Sequence, residues 1–217
     1  AEIECIGVHE EDWANSWKQY YKPIKTGEKL VIVPEWETYD PADGEIVVLM
    51  DPGMAFGTGT HETTRRCAML LEKYVRPGDR MLDVGCGSGI LAICAAKLGA
   101  GSCFACDIDP VAVRIAGENA ALNQTAQVET GVSDLLAQAK KAPGGYHVCC
   151  ANIVADVIIR LSPDIGGFME PDGVLIVSGI ITERAEETVS ALKAAGWHLI
   201  DERRENGWFA GALKRNG

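Results

Sequence analysis

The sequence predicts an α/β fold in which a doubly wound, mostly parallel seven-stranded sheet ends in an antiparallel hairpin. Short apolar segments alternate with helical patterns along residues 61–195, and the first strand-to-helix junction is rich in glycine. Two further strand-like segments follow, joined by Asn206-Gly207, which is a strong hairpin signal. Alternating strands and helices form parallel sheets covered on both faces, and such sheets bind ligands at the carboxyl ends of their strands.

Each element is predicted from its own pattern. Helices are expected where apolar residues recur at helical spacing until a breaker such as Pro77-Gly78, and strands where short apolar runs are bounded by turn residues. The expected order is helix 61–75, strand 80–84, helix 89–98, strand 102–107, helix 110–122, strand 126–130, strand 146–151, helix 154–168, strand 173–179, helix 182–195, strand 197–204 and strand 207–213. A turn at Pro171-Asp172-Gly173 is expected before the fifth strand.

Composition restricts the class of protein. The chain has 217 residues, a net charge of −11 and a pI near 4.8, which suits one domain of ordinary size with an appendage. An acidic surface repels phosphate backbones, so no direct nucleic-acid partner is expected. No apolar run reaches the roughly 20 residues that cross a membrane, and no signal peptide opens the chain. The sequence therefore predicts a cytoplasmic protein without a membrane partner and leaves its oligomeric state open.

The eight cysteines do not predict a metal site. Five of them lie inside apolar strand or helix patterns, where free cysteine packs as a small hydrophobic residue. Cys103 and Cys106 have C-x-x-C spacing, but residues three apart on a strand point to opposite faces and do not readily hold one ion. No metal is therefore expected.

The glycine-rich junction reads Asp-Val-Gly-Cys-Gly-Ser-Gly over residues 83–89. Its spacing is G-x-G-x-G, whereas the dinucleotide fingerprint is G-x-G-x-x-G, whose third glycine makes room for helix packing. Ile90 occupies that later position here. The tighter spacing, with an acid two residues before the first glycine, is typical of S-adenosylmethionine (AdoMet) methyltransferases. The residues predicted to contact the ligand are Asp83, Gly85, Gly87, Gly89 and, through its backbone, Cys86.

Polar residues also end the neighbouring strands. Asp107 follows Gly89 by 18 residues, close to the offset of roughly 20 residues for an acid that binds a ribose. Asp109 precedes Pro110 and is predicted to cap the following helix. Asp134 and Asn152 end two further strands, so all of these tips are expected to meet at one edge of the sheet.

A loop over residues 51–64 contains three glycines, four threonines and Pro52. Its hydroxyl groups and exposed amides lead into a helix, whose N-terminus attracts a carboxylate. The loop is expected either to hold the amino-acid end of AdoMet or simply to cap the helix.

Together these motifs resemble the PrmA family. The resemblance rests on the loop from Asp51 to Thr64, the glycine turn at 83–89 with the following Ile-Leu-Ala-Ile, Asp107-Ile-Asp-Pro, and Ala151-Asn-Ile. PrmA enzymes are bacterial methyltransferases that trimethylate a ribosomal protein of the large-subunit stalk base. The resemblance implies a Rossmann-like class I AdoMet-dependent methyltransferase domain at 41–217. Residues 1–40 are similar to the family's interdomain helix and a connecting segment.

The resemblance also implies roles for individual residues. It assigns Thr64, Gly85, Asp107 and Asn152 to AdoMet. Further expected AdoMet contacts are Phe56 and Thr60 in the covering loop, Ile108 beside the ribose acid, and Ser133 and Asp134 near the adenine. The family usually begins with a small α+β domain that captures the ribosomal protein, and almost nothing precedes the helix here. The chain is thus expected to be either part of a longer protein or a short form with another partner.

The expected reaction is methyl transfer from AdoMet to an amine, either a lysine side chain or an N-terminus. Its main requirement is to align the amine nitrogen with the methyl group at about 3–3.5 Å. Asn152 is the predicted catalytic residue because its carbonyl oxygen accepts a hydrogen bond from the amine without retaining its charge. His61 is a second candidate, for proton removal or for anchoring the loop. The alternatives are methylation of another protein lysine or a small amine, a nicotinamide-dependent oxidoreductase, and a module that binds AdoMet without catalysis.

Overall fold

The computed structural model describes residues 21–51 and 61–215, and within them two sheets. The smaller sheet has three strands, β1 (Ile24–Lys25), β2 (Leu30–Pro34) and β3 (Ile46–Met50). Strand β1 pairs antiparallel with β2, and β2 pairs parallel with β3. This sheet was not expected from the sequence. Its strands are short, and a parallel pair gives no hairpin turn by which to recognise it.

The larger part of the chain alternates strands and helices. Its elements are α1 (Glu62–Tyr74), β4 (Arg80–Val84), α2 (Ile90–Lys97), β5 (Ser102–Asp107), α3 (Pro110–Leu122), β6 (Val128–Val132), β7 (Tyr146–Asn152), α4 (Ala155–Leu161), β8 (Met169–Ile181), α5 (Ala185–Ala194), β9 (Trp197–Glu205) and β10 (Trp208–Arg215). Short 3₁₀ turns at Ile165–Phe168 and Thr182–Arg184 precede β8 and α5.

These strands form one seven-stranded sheet in the order β6-β5-β4-β7-β8-β10-β9. All neighbours from β6 to β8 are parallel, and β10 pairs antiparallel with both β8 and β9. The predicted fold class and the closing hairpin are therefore confirmed. The strand order reverses between β4 and β7, and this switch point is where doubly wound sheets open a crevice for ligands.

The core lies on both faces of this sheet. Met81 packs into a cluster with α1, α2 and α3, whereas its neighbour Leu82 packs into a second cluster with α4 and α5. Leu30 and Met50 of the smaller sheet are buried in the first cluster. Strand β2 therefore packs against the helices of the larger sheet, and β1 pairs with it. The division of the chain into a connecting segment at 1–40 and a methyltransferase domain at 41–217 stays a prediction.

Two predicted elements that contain a proline differ from the structure. The helix expected over 154–168 ends at Leu161, because Pro163 has no N–H to continue it. The turn expected at Pro171-Asp172-Gly173 lies inside β8 instead. The register of β8 against β7 shifts between Tyr146 and Val148, and such an irregularity tolerates a proline within a sheet.

The seven cysteines in the described ranges are all buried and free. Cys103 and Cys106 lie in opposite core clusters, as the strand pattern predicted. Among the described residues, no three metal-binding side chains are grouped, and no helix is long and apolar enough to cross a membrane. The predicted N-terminal helix lies outside the described residues.

Candidate active site

A cavity of about 560 Å³ opens at the carboxyl ends of the parallel strands, within the range of volumes that hold cofactors. It extends across the switch point from the tips of β5 and β6 to β8 and β10. Its lining residues are His61, Thr63, Gly85, Gly87, Asp107, Ile108, Ser133, Asp134, Leu135, Asn152, Ile153, Val154, Val157, Arg160, Gly179 and Trp208. Most of this lining is apolar carbon, with polar groups at a few places.

The glycine turn presents bare backbone to this cavity. Gly85 and Gly87 line it, with φ of +72° and +52°, a region that favours glycine. The amide of Gly85 donates to the Cys106 carbonyl at 2.8 Å, which ties the turn to β5. A Cβ on Gly85 would lie 2.4 Å from Cγ2 of Ile153, so only glycine leaves room for that side chain.

Three predicted ligand contacts of the turn do not line the cavity. The Cys86 side chain is buried in the core, burial raises the pKa of its thiol, and its amide already donates to Cys106 at 3.0 Å. Gly89 begins α2 with φ +79°, and a Cβ there would lie 2.8 Å from Cβ of Ala116 in α3. Gly89 therefore allows a helix to pack closely against the turn. In the dinucleotide fingerprint G-x-G-x-x-G, the third glycine has this role, one position later in the sequence.

Asp83 is the third of these residues and lies beneath the turn. Its Oδ2 accepts a hydrogen bond from the amide of Ala92 at 3.2 Å, in the first turn of α2. Its Oδ1 is buried and has no hydrogen-bond partner among residues 21–51 and 61–215. Burial, assisted by the negative charge of Asp107, raises the pKa of Asp83 from 3.8 to about 7, although the Ala92 amide opposes the shift. Asp83 thus supports α2 from below.

Asp107 is held in place by the backbone around it. Its Oδ2 accepts from the amide of Gly87 at 2.9 Å, and its Oδ1 accepts from the amide of Asp109 at 3.0 Å. Each carboxylate oxygen has a second lone pair, so the group can still accept two ribose hydroxyls. Asp109 instead caps α3 by accepting from Val111 at 2.8 Å, as predicted. Ile108 is 65% exposed and offers an apolar side chain beside the acid.

Ser133 and Asp134 line the same end of the cavity. The Ser133 hydroxyl donates to the Leu135 carbonyl at 2.8 Å, so this side chain stabilises the turn after β6. Asp134 lies at the rim, with its Oδ1 2.9 Å from Nη2 of Arg160 in α4. Its carboxylate is one of the hydrogen-bond acceptors at this end of the cavity.

Asn152 ends β7 at the switch point. Its Nδ2 donates to the Thr64 hydroxyl at 3.4 Å, and its Oδ1 is buried without a hydrogen-bond partner. Among the described residues, no donor satisfies this oxygen, and a buried amide oxygen without a donor is costly. Thr64 is 1% exposed and is not among the residues that line the cavity. Its contact is with the Asn152 side chain, which it orients.

His61 caps α1 and contacts Trp208. The Nδ1 atom of His61 accepts from the Thr63 amide at 3.3 Å and lies 2.8 Å from its hydroxyl. These contacts hold the His61 side chain at the N-terminus of α1. Its ring meets that of Trp208 edge-on, with centroids 5.0 Å apart.

Sequence reasoning missed most of the apolar wall. The residues not anticipated are Thr63, Leu135, Ile153, Val154, Val157, Arg160, Gly179 and Trp208. The Ile153-Val154 pair directly follows the predicted Asn152, so its place at a strand end was a usable signal. Phe56 and Thr60 lie outside the described residues.

Comparison with known proteins agrees with this architecture. The family model described as Ribosomal protein L11 methyltransferase (PrmA) matches residues 1–216. Proteins with that name from Caldanaerobacter subterraneus subsp. tengcongensis and Pelotomaculum thermopropionicum are 49% and 51% identical, over 99% and 95% of this chain. The chain spans 68% and 67% of their lengths.

A solved structure gives the same result. The ribosomal protein L11 methylase from Lactobacillus delbrueckii subsp. bulgaricus is 36% identical, with a TM-score of 0.82. The match covers 91% of this chain and 100% of that one. These matches confirm the predicted enzyme class and its donor, AdoMet, and they favour a methyltransferase over a nicotinamide-dependent oxidoreductase. The chain belongs to the PrmA family of ribosomal protein L11 methyltransferases, which are AdoMet-dependent enzymes of the class I fold.

Proposed function

We propose that this chain transfers methyl groups from AdoMet to amines of ribosomal protein L11, at lysine side chains, the N-terminus or both. The observation that supports this most directly is Asn152. It lies at the strand tip and lines the cavity, and its amide nitrogen is engaged by Thr64. No donor among the described residues reaches its carbonyl oxygen. A ribosomal protein as acceptor favours the cytoplasm as the site of the activity.

The residues present fit AdoMet. Asp107 accepts hydrogen bonds from the ribose hydroxyls. Gly85 and Gly87 have no side chain, so AdoMet can lie against their backbone. Ile108 and Asp134 lie at the adenine end of the site. AdoMet supplies the electrophilic methyl group. In the sheet order, Asp107, Ile108 and Asp134 lie at the ends of β5 and β6, whereas Gly85 and Gly87 follow β4. Trp208 begins β10, which lies beyond β7 and β8. The acceptor amine therefore enters from the side of Trp208 and His61.

The residues of this chain bind the acceptor amine in its uncharged form and position it. A lysine amine has an ordinary pKa of about 10.4 and must lose a proton before it attacks. The apolar wall of Ile153, Val154 and Trp208 disfavours the charged ammonium form. The amine nitrogen then donates a hydrogen bond to Oδ1 of Asn152. This bond orients the amine so that the lone pair of its nitrogen points away from Asn152.

Calorimetric titration tests the donor site. We expect AdoMet to bind the wild-type chain, NADH not to bind, and Asp107→Ala to lose AdoMet binding. Asp109→Ala is the matched control, because this acid caps α3 at the same strand tip. It should retain AdoMet binding. Loss of binding in both variants, or preferential binding of NADH, would contradict the assignment.

Methyl transfer from labelled AdoMet to purified ribosomal protein L11 tests the acceptor. Label in L11, mapped to amines by mass spectrometry, is the expected result. Donor binding without transfer to L11, but with transfer to another protein or a small amine, would support the alternative acceptor. Donor binding without any transfer would indicate a module that binds AdoMet without catalysis.

A further inference from the structure

Arg66 of α1 is a buried cation with few partners. Its side chain is 2% exposed, and its Nη2 donates to the backbone carbonyl of Glu205 at 2.9 Å. The same nitrogen lies 3.2 Å and 3.4 Å from carboxylate oxygens of Glu62 and Glu205. Within the described part of the chain, no hydrogen-bond partner reaches its buried Nε and Nη1. Burying these donors costs free energy, so the stability of the fold does not account for an arginine here.

The contact joins two elements that meet at the cavity. Glu205 ends β9 and precedes the tight turn Asn206-Gly207, whose φ values are +51° and +77°. Trp208 follows the turn directly and pairs with Glu205 across the hairpin. On the helix side, His61 is the N-cap of the helix that contains Arg66. Arg66 therefore connects the two elements that supply the His61 and Trp208 rings.

We propose that Arg66 is a positioning residue for the methyl acceptor. By holding the Glu205 carbonyl against α1, it fixes Trp208 edge-on to His61 at the end of the cavity away from Asp107. The acceptor amine then meets a rigid aromatic wall opposite Asn152. This inference rests on the proposed function, because that function assigns this end of the cavity to the acceptor.

The test compares Arg66→Met with Arg65→Met. Arg65 is the adjacent arginine of α1 and is exposed, so its replacement is a matched control. In Arg66→Met, kcat/KM for ribosomal protein L11 should fall by roughly 10- to 100-fold, the loss expected when reacting groups are misplaced. AdoMet affinity should be unchanged. The thermal midpoint should stay the same or rise, because an underpartnered buried charge is removed.

A second readout does not depend on the acceptor. The emission of Trp208 is obtained as the difference between each protein and its Trp208→Phe counterpart. Arg66→Met should shift this emission to longer wavelength and make it more accessible to acrylamide, whereas Arg65→Met should not. Arg66→Lys should restore part of both the emission and kcat/KM, because a lysine donor still reaches one carbonyl.

Two results would overturn the inference. The first is wild-type kinetics and wild-type Trp208 emission in Arg66→Met. The second is a lowered thermal midpoint with AdoMet binding and turnover reduced in proportion, which would make Arg66 a structural residue only. If the wild-type chain does not methylate L11, the proposed function fails separately, and the Trp208 emission still shows whether Arg66 positions that ring.

Discussion

At the scale of the residue, the polar groups in and beneath the cavity differ in their hydrogen bonds. Both oxygens of Asp107 accept backbone amides, and the Ser133 hydroxyl is engaged within its own turn. Among the described residues, no donor reaches Oδ1 of Asn152 at the cavity or Oδ1 of Asp83 beneath the glycine turn. Asp107 and Ser133 are therefore held in place by the fold, whereas Asn152 and Asp83 each lead to a prediction.

Replacing Asn152 with alanine should slow turnover by about tenfold or more, because the acceptor amine loses its hydrogen-bond partner. Donor affinity should remain largely intact. Single-turnover methyl transfer and calorimetry measure the two effects. Thr64→Val should reproduce part of the loss by freeing the Asn152 amide, whereas Thr64→Ser keeps the hydroxyl and should not. Unchanged turnover in Asn152→Ala would remove this residue from the chemistry.

Asp83 should make stability depend on pH. Its native pKa of about 7 exceeds its ordinary value of 3.8, so the native state holds the proton more tightly than the unfolded chain does. Its contribution is therefore greatest below the unfolded pKa and is lost as pH rises through the native pKa.

Asp83→Asn should remove this dependence while keeping an oxygen for the Ala92 amide. Between pH 5 and pH 8, the unfolding free energy of the variant should gain about 2–3 kcal/mol relative to the wild type. Urea unfolding at both pH values measures the gap. A gap that is the same at both would show that Asp83 remains ionised throughout.

Sequence reasoning identified the residues that follow a strand directly. Asp107 and Asn152 were predictable because polar residues at the carboxyl ends of parallel strands meet at one edge. Arg66 and Trp208 were not, since their elements are brought together by a contact between residues 139 positions apart. The Asp83 side chain lies beneath the glycine turn, where it accepts from the Ala92 amide. Cys86 was expected to contact the ligand through its backbone, and its amide donates to the Cys106 carbonyl. The ligand roles of both residues stay predictions.

At the scale of the element, the packing of α2 against α3 depends on Gly89. Its φ is +79°, and Ala116 leaves no room for a Cβ. Gly89→Ala should lower the free energy of unfolding by roughly 1–3 kcal/mol through backbone strain and overpacking. It should also weaken AdoMet binding, because the glycine turn leads into this residue.

Urea unfolding and calorimetry test Gly89→Ala. Gly167→Ala is the control, because nothing lies within 4 Å of its added Cβ and its φ is not in the left-handed region. If both variants lose the same free energy of unfolding, the effect comes from replacing a glycine by alanine in general. The contact with Ala116 would then not account for it.

Element types were predictable and some boundaries were not. Strands β4 and β5 and helix α3 match their predicted bounds because turn residues or caps flank them on both sides. The end of α4 was missed because the apolar pattern continues past Pro163 into a 3₁₀ turn. Strands β2 and β3 were missed because their parallel pairing depends on burial against α2 and α3.

At the scale of the whole molecule, two buried asparagines join the smaller sheet to the glycine turn, namely Asn119 of α3 and Asn123, which is the C-cap of that helix. Asn123 accepts from the Leu49 amide at 2.9 Å and donates to the Leu49 carbonyl at 2.6 Å, as a neighbouring strand would. Asn119 accepts from the Asp51 amide at 3.1 Å and donates to the Ser88 carbonyl at 3.0 Å. The smaller sheet is thereby linked to the glycine turn.

Asn123→Ala should destabilise the smaller sheet before the larger one. Loss of the paired amide leaves the Leu49 backbone groups unsatisfied, at a cost of about 1–3 kcal/mol. Hydrogen–deuterium exchange should show reduced protection of strands β2 and β3 with little change in β4 and β7. Equal loss of protection in both sheets would show that they open as a single unit.

The overall topology was predictable except for the position of the last strand. The hairpin was expected from Asn206-Gly207, but which of its strands pairs with β8 depends on long-range packing. The structure places β10 between β8 and β9. This arrangement brings Trp208 beside the cavity. It also brings Glu205, which precedes the hairpin turn at Asn206-Gly207, to Arg66.

The burial of the seven described cysteines has a practical consequence. A thiol-alkylating reagent can reach such sulfur atoms only while the surrounding structure is open, so labelling rates in native buffer report the frequency of opening. Cys94 reports on the helix after the glycine turn, Cys106 on the strand that ends in the ribose acid, and Cys149 on the switch point. Peptide mass spectrometry separates these sites. The labelling rate of each cysteine thus measures local unfolding at its own position, and AdoMet binding should lower these rates.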